Sequence, residues 1–186
     1  ALRARDTLSD GEEQVLCEAV TEVCDVRASH VITREGRVLE ESTLLVDGIV
    51  CRYKDLADGQ RQIMELHVAG DFVDLHGFLL KQLDHNVGAM TAVRVAMVPH
   101  DALRGITETH PHLGRMLWFS TLLDAAIHRE WILKMEQLTA AKRVAHVFAE
   151  LWHRLDLVGL GRRDGLRTPL IQADLADMSG TTAIHM

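Results

Sequence analysis

Histidine is the residue type here with the widest reach in chemistry: eleven stand among 186 residues, beside three cysteines. A neutral imidazole ligates transition metals and haem iron, and it takes up a proton near neutral pH. The pairs close in sequence are His110 and His112 around Pro111, His76 and His85, and His146 and His153. No HExxH is present, nor an HxH with the glutamate of a jelly-roll metalloenzyme. Between Val26 and His100 the histidines His30, His67, His76, His85 and His100 are widely spread. Solvent-facing or hydrogen-bonded side chains account for each pair, and no metal site is assigned. A cupin-like metalloenzyme and a haem-based gas sensor stay open as alternatives, the first told by a tightly held metal and the second by a Soret band.

Cys17, Cys24 and Cys51 are an odd number without a CxxC pair, so neither a disulfide framework nor an all-thiolate zinc site is indicated. They are too few for a four-cysteine iron–sulfur cluster. A redox role for one of them stays open, although a buried free cysteine is usually a small apolar residue. Hydrophobic residues make up 47% and charged residues 25%, ordinary for a chain that buries a core. The net charge of −7 gives no general attraction to nucleic acid, so any DNA contact needs a local basic surface. No run of roughly 18 apolar residues and no signal-peptide pattern is present, which predicts a cytoplasmic protein without membrane contact.

The elements that would position these residues fall into three stretches. Ser9 and Glu12 have the form of a capping box, and Val15, Leu16, Ala19, Val20 and Val23 continue a helical stripe. From about Val26 to His100, turn signals at Glu35-Gly36, Asp47-Gly48, Asp58-Gly59 and Gly70-Asp71 separate short β-rich runs, predicting an all-β sandwich or barrel. In one run Ile49, Cys51 and Tyr53 alternate with Arg52 and Lys54, as a half-buried strand requires; Val93, Val95 and Met97 repeat the pattern. A closed roll has a lined interior where a small ligand can bind.

After Pro111 about 27 residues keep helical periodicity. Leu123, Ile127, Trp131 and Met135 form one apolar row, and Phe119, Leu122, Ala126 and Leu133 a second beside it. This breadth exceeds one packing face and predicts a twin helix across a twofold axis, with Phe119, Leu122, Leu123, Ala126, Ile127 and Trp131 at the dimer interface. A helix inside one larger domain would show the same breadth. Thr139 can cap a further helix bearing Val144, Val147, Phe148, Leu151 and Leu155 on one face. Beyond GLGRRDG, two short helices joined at Ser179-Gly180 have the form of a helix-turn-helix.

This order of parts resembles the Crp/Fnr superfamily over essentially the whole chain. PLIQADLADMSGTTAIHM keeps Leu170, Gln172, Asp174, Leu175, Ala176, Gly180, Thr182 and His185 of the family's helix-turn-helix run, and AAIHREW with AAKRVAHVFAEL is similar to the dimer helix and hinge of one subgroup. The resemblance implies a homodimeric, non-enzymatic transcription regulator that binds double-stranded DNA and contacts RNA polymerase. Its fold class would be α+β: an antiparallel β-roll sensor (1–110), a dimerisation helix (111–138) and a winged helix-turn-helix (139–186) that stops partway through its recognition helix. Gln172, Thr181, Thr182 and His185 are the implied DNA-contacting positions. Ile171 replaces the usual threonine N-cap, an interaction normally worth about 0.5–2 kcal/mol.

Cyclic-nucleotide-binding members of that family hold the ribose with a glutamate and the phosphate with an arginine. Here GDFVDLHGF has Leu75 at the glutamate position and Asp74 at that of a glycine, and no arginine occurs from Gln62 to Val93. A phosphate buried without a guanidinium is costly, so cyclic AMP is not expected and the effector is unknown or absent. The resemblance puts the base-contacting positions of the dimer helix near His128 and Arg129. With Asp74, Leu75, His76, His85 and Asn86 they form the candidate effector pocket; an ordinary ion pair of Arg129 and Glu130 is the competing reading.

Overall fold

A computed structural model describes residues 6–161, 165 and 168–182. The first helix, α1 (Asp10–Glu18), starts as expected: Ser9 Oγ accepts the Glu12 N–H and Glu12 Oε2 accepts the Ser9 N–H. It is shorter than predicted. Thr21 N–H is already bonded to Met97 O, so Val23 and Cys24 lie in strand β1 (Glu22–Val26) rather than on the helix.

Strands β2 (Val31–Thr33), β3 (Glu41–Asp47), β4 (Val50–Asp55) and β5 (Arg61–His67) follow, then a short helix α2 (Gly77–Leu80) and strands β6 (Asn86–Ala89) and β7 (Val93–Pro99). They form two antiparallel sheets, ordered β1-β7-β3 and β2-β6-β4-β5. Of the predicted turns, Asp58-Gly59 closes the β4–β5 hairpin, while Glu35-Gly36 and Asp47-Gly48 carry the chain from one sheet to the other. At Gly48 φ is +90° and a Cβ would lie 2.6 Å from Ala92 O, so only glycine fits. Leu45, Val50, Val73, Val87, Val93 and Val95 fill the space between the sheets, each contributing about 1.5–3 kcal/mol on full burial.

Helix α3 (His100–Thr109), which periodicity did not reveal, leads into the long helix α4 (Pro111–Gln137). Pro111 suits that start because the first turn leaves its N–H positions unpaired. Leu103, Ile106, Leu113 and Leu117 of these helices pack with Val15 and Leu16 of α1. Leu138 and Thr139 are extended and separate α4 from α5 (Ala140–Leu157); Thr139 occupies the cap position without a side-chain cap bond. Helix α6 (Gln172–Ser179) ends at Gly180, which is left-handed with φ +61°. Ile171 has no cap to offer, but the Asp174 carboxylate accepts the Ile171 N–H. Among the described residues no helix is long and apolar enough to cross a membrane.

Two expectations need correction. Ile49, Cys51 and Tyr53 do share a face, but it packs under Trp131, Val147, Leu151 and Met178 of the helices; the opposite face carries Arg52, only 2% exposed. Strand β4 is therefore buried on both sides, because helices α4, α5 and α6 cover one side and the second sheet the other. Trp131 belongs to its own chain's core: it is 7% exposed and its Nε1–H donates to Glu150. Ile127 packs against the same cluster. The side of α4 that faces solvent carries Trp118, Phe119, Leu122, Ile132 and Leu133.

Candidate functional site

Two short spacings bring a set of charged side chains together. On β5, Glu65 and His67 are two residues apart and so share a face. On α4, Asp124 and His128 are four apart and lie one turn above the other. Arg52, paired with Glu65 across the β4–β5 ladder, lies between the two elements. Its Nη1 donates to Glu65 Oε2 at 2.8 Å, its Nη2 to Asp124 Oδ2 at 3.0 Å, and its Nε to Val73 O at 2.8 Å. His128 Nδ1 is 3.4 Å and His67 Nε2 3.5 Å from Glu65 Oε2.

The cluster is almost dry. Glu65 and His67 are 0% exposed, and Glu65 Oε1 and both ring nitrogens of His67 have no hydrogen-bond partner. Each such orphan ordinarily costs about 1–3 kcal/mol. Burial, then the adjacent Arg52 charge, hold His67 well below the usual histidine range. Burial raises the Asp124 carboxyl. Toward the cassette, His76 and His85 stack at 5.2 Å between ring centroids; burial and then Arg52 bring His76 down to about 3. Burial also lowers His85, against its bond to Asp84, and His85 Nε2 is a further orphan. The roll therefore holds neutral imidazoles, the form that ligates or accepts a hydrogen bond.

The residues singled out from sequence divide. His76, His85 and His128 converge on this interior. Asp74 does not present its carboxylate as a free ligand group: it is buried and accepts the Thr43 N–H at 2.6 Å, and burial lifts its pKa to about 6. Leu75 packs against Leu103 and Leu113. Asn86 ties loops, accepting from Glu35 N and donating to Asp55. Arg129 lies on the exposed side of α4. Gln172 opens α6 with Thr181 and Thr182 just past its end, and His185 lies outside the described residues. Cys51 is buried and its thiol is pushed up to about 12, too high for reactivity, whereas Cys17 is exposed.

Sequence reasoning missed Arg52, Glu65, His67 and Asp124. It found no arginine from Gln62 to Val93, and that holds for the cassette; the buried guanidinium comes from Arg52 of β4. The usable signals were the ELH of β5 and the DAAIH of α4, each placing a carboxylate and an imidazole on one face.

Helices α5 and α6 are fastened to the same sheet. Arg61 bridges Asp174 at 2.9 Å and Asp177 at 2.8 Å, and Gln62 Nε2 donates to Asp177 O. Arg154 of α5 donates to Leu66 O and Asp71 Oδ2.

Comparison with known proteins agrees with this architecture. A family profile described as the cyclic nucleotide-binding domain matches residues 23–110. The transcriptional activator protein FnrL of Cereibacter sphaeroides is 28% identical over 178 residues, 93% of this chain and 70% of that protein. The anaerobic regulatory protein of Haemophilus influenzae is 22% identical over 176 residues, 95% of this chain and 68% of that protein. The structure of FixK2 from Bradyrhizobium japonicum superposes with a TM-score of 0.79 at 25% identity, covering 89% of this chain and 80% of that one. With a nucleotide-domain roll, a long helix behind it, and regulator relatives spanning both, these findings support a Crp/Fnr-type transcription regulator.

Proposed function

We propose that the protein acts as a cytoplasmic homodimer that binds double-stranded DNA through paired helix-turn-helix units, contacts RNA polymerase, and answers to an effector other than cyclic AMP or to none. The observation that carries the reading is helix α4. One side of it seats on the roll through Asp124 and Trp131, the other presents an apolar row, and its end leads through Leu138 and Thr139 into α5 and α6. A twin α4 packed on that row would put two motifs one DNA turn apart, about 34–36 Å. The degenerate cassette argues against cyclic AMP: Arg52 is already held by two carboxylates, and the buried Asp74 would repel a phosphate.

The test is selection of duplexes from a random library by the protein made from its full coding sequence. Enrichment of a palindromic site, unaffected by cyclic AMP, is expected. Binding that is sequence-indifferent and steeply salt-dependent would overturn the reading.

A further inference from the structure

The ionic cluster between β5 and α4 has the makings of a metal site that neither the fold nor the regulator reading requires. One ligand atom each of Glu65, His67 and Asp124 lies within 4.8 Å of the others, and His128 Nδ1 is 3.4 Å from Glu65. Donors sharing one ion at about 2.0–2.2 Å stand roughly 3–3.5 Å apart, so small side-chain rotations would close the set. We propose that Glu65, His67 and Asp124 bind one divalent transition-metal ion that clasps strand β5 to helix α4, beside His128, whose Nδ1 is bonded to the Asp124 carbonyl at 3.2 Å.

Three observations carry this. Glu65 Oε1 and both nitrogens of His67 are wholly buried with no hydrogen-bond partner, a condition rare enough in folded proteins to call for a ligand. Glu65 and Asp124 share the Arg52 guanidinium, and the neighbouring Arg154 is itself paired with Asp71 and Glu150, so carboxylates outnumber guanidiniums and leave room for a further positive charge. Arg52 holds Glu65 Oε2 and Asp124 Oδ2, leaving Glu65 Oε1 for the ion and serving as the outer partner that orients both carboxylates.

A mixed set of imidazoles and carboxylates suits zinc(II), manganese(II) or iron(II) and gives no advantage to a thiophilic ion. The depth of Glu65 and His67 fits an ion held for structure or sensing rather than for turnover. Because α4 also carries the apolar outer row, occupancy would set how that helix seats on the roll.

The experiment strips the full chain with a chelator and titrates it with cobalt(II), then zinc(II). The expected result is one cobalt per chain with ligand-field absorbance, its displacement by one equivalent of zinc, and a higher melting temperature with zinc. His67→Gln and Asp124→Asn should each weaken binding at least about 10-fold, the loss that an outer partner alone can cause. His112→Gln, which removes a surface histidine held by Glu12 and Asp6, should leave binding unchanged. Asp124, 18% exposed, keeps the test alive should His67→Gln fail to fold. No ligand-field band at stoichiometric cobalt, or a band unchanged in the variants, would overturn the proposal. DNA affinity is not read, so failure of the regulator reading would leave this result standing.

Discussion

The two sides of helix α4 reverse the usual arrangement of a soluble protein. Against the roll, its Asp124 joins Arg52 and Glu65 in a buried ionic cluster; toward solvent it presents Trp118 and Ile132, 65% and 67% exposed. Charge inside costs desolvation and apolar surface outside forfeits burial, so neither side serves the isolated chain well. On the dimer reading, α4 is held in two places. The inner contact is specific in direction and brittle, because each ion loses its partner if the helix shifts. A contact on the outer row would be broad and tolerant, because apolar packing is non-directional.

Removing the charge at the centre should have the largest effect. Arg52→Met leaves Glu65 buried without its partner, and urea denaturation should show a loss of about 3–5 kcal/mol; adding Glu65→Gln should recover part of it. A loss under about 1 kcal/mol would mean that water reaches the cluster and the inner side of α4 is not brittle.

Asp74 tests whether buried charge in the roll is costly away from α4. Its pKa is raised from the ordinary 3.8 to about 6, so between those values the folded state binds more protons than the unfolded one. This group's contribution therefore falls as pH rises through that window, is lowest above about 6, and amounts to about 3 kcal/mol across it. The stability of Asp74→Asn relative to wild type should climb from pH 4 to 6 and then level off. A flat difference across that range would remove Asp74 from the list of costly buried charges.

The outer side is tested by Ile132→Glu. On the dimer reading it should weaken self-association by about 2 kcal/mol, some 30-fold in sedimentation equilibrium, while leaving the circular dichroism of the chain unchanged. Unchanged association would move the dimer contact off this row.

Much of this architecture was legible along the chain. The Ser9–Glu12 box, the glycine turns, the length of α4 and the break at Leu138–Thr139 are local features, dictated by capping, backbone conformation and periodicity. Helix α3 escaped because it is short and follows strand β7 directly. The candidate site was only half visible. His76, His85 and His128 were picked out by their place in a resemblance, while Arg52 read as a solvent-facing partner in an alternating strand.

Local patterns along the chain sufficed for the capped start of α1, the glycine turns and the order of roll, long helix and C-terminal helices, since each depends on neighbours a few residues apart. Long-range packing set the rest: Trp131 faces inward, both faces of β4 are covered, and Arg52, Glu65, His67 and Asp124 meet. Those outcomes depend on which sheet face a helix covers, a contact between Arg52 and Asp124 that joins residues far apart in the chain. Alternation along a strand shows that two faces differ, but not what lies against each of them.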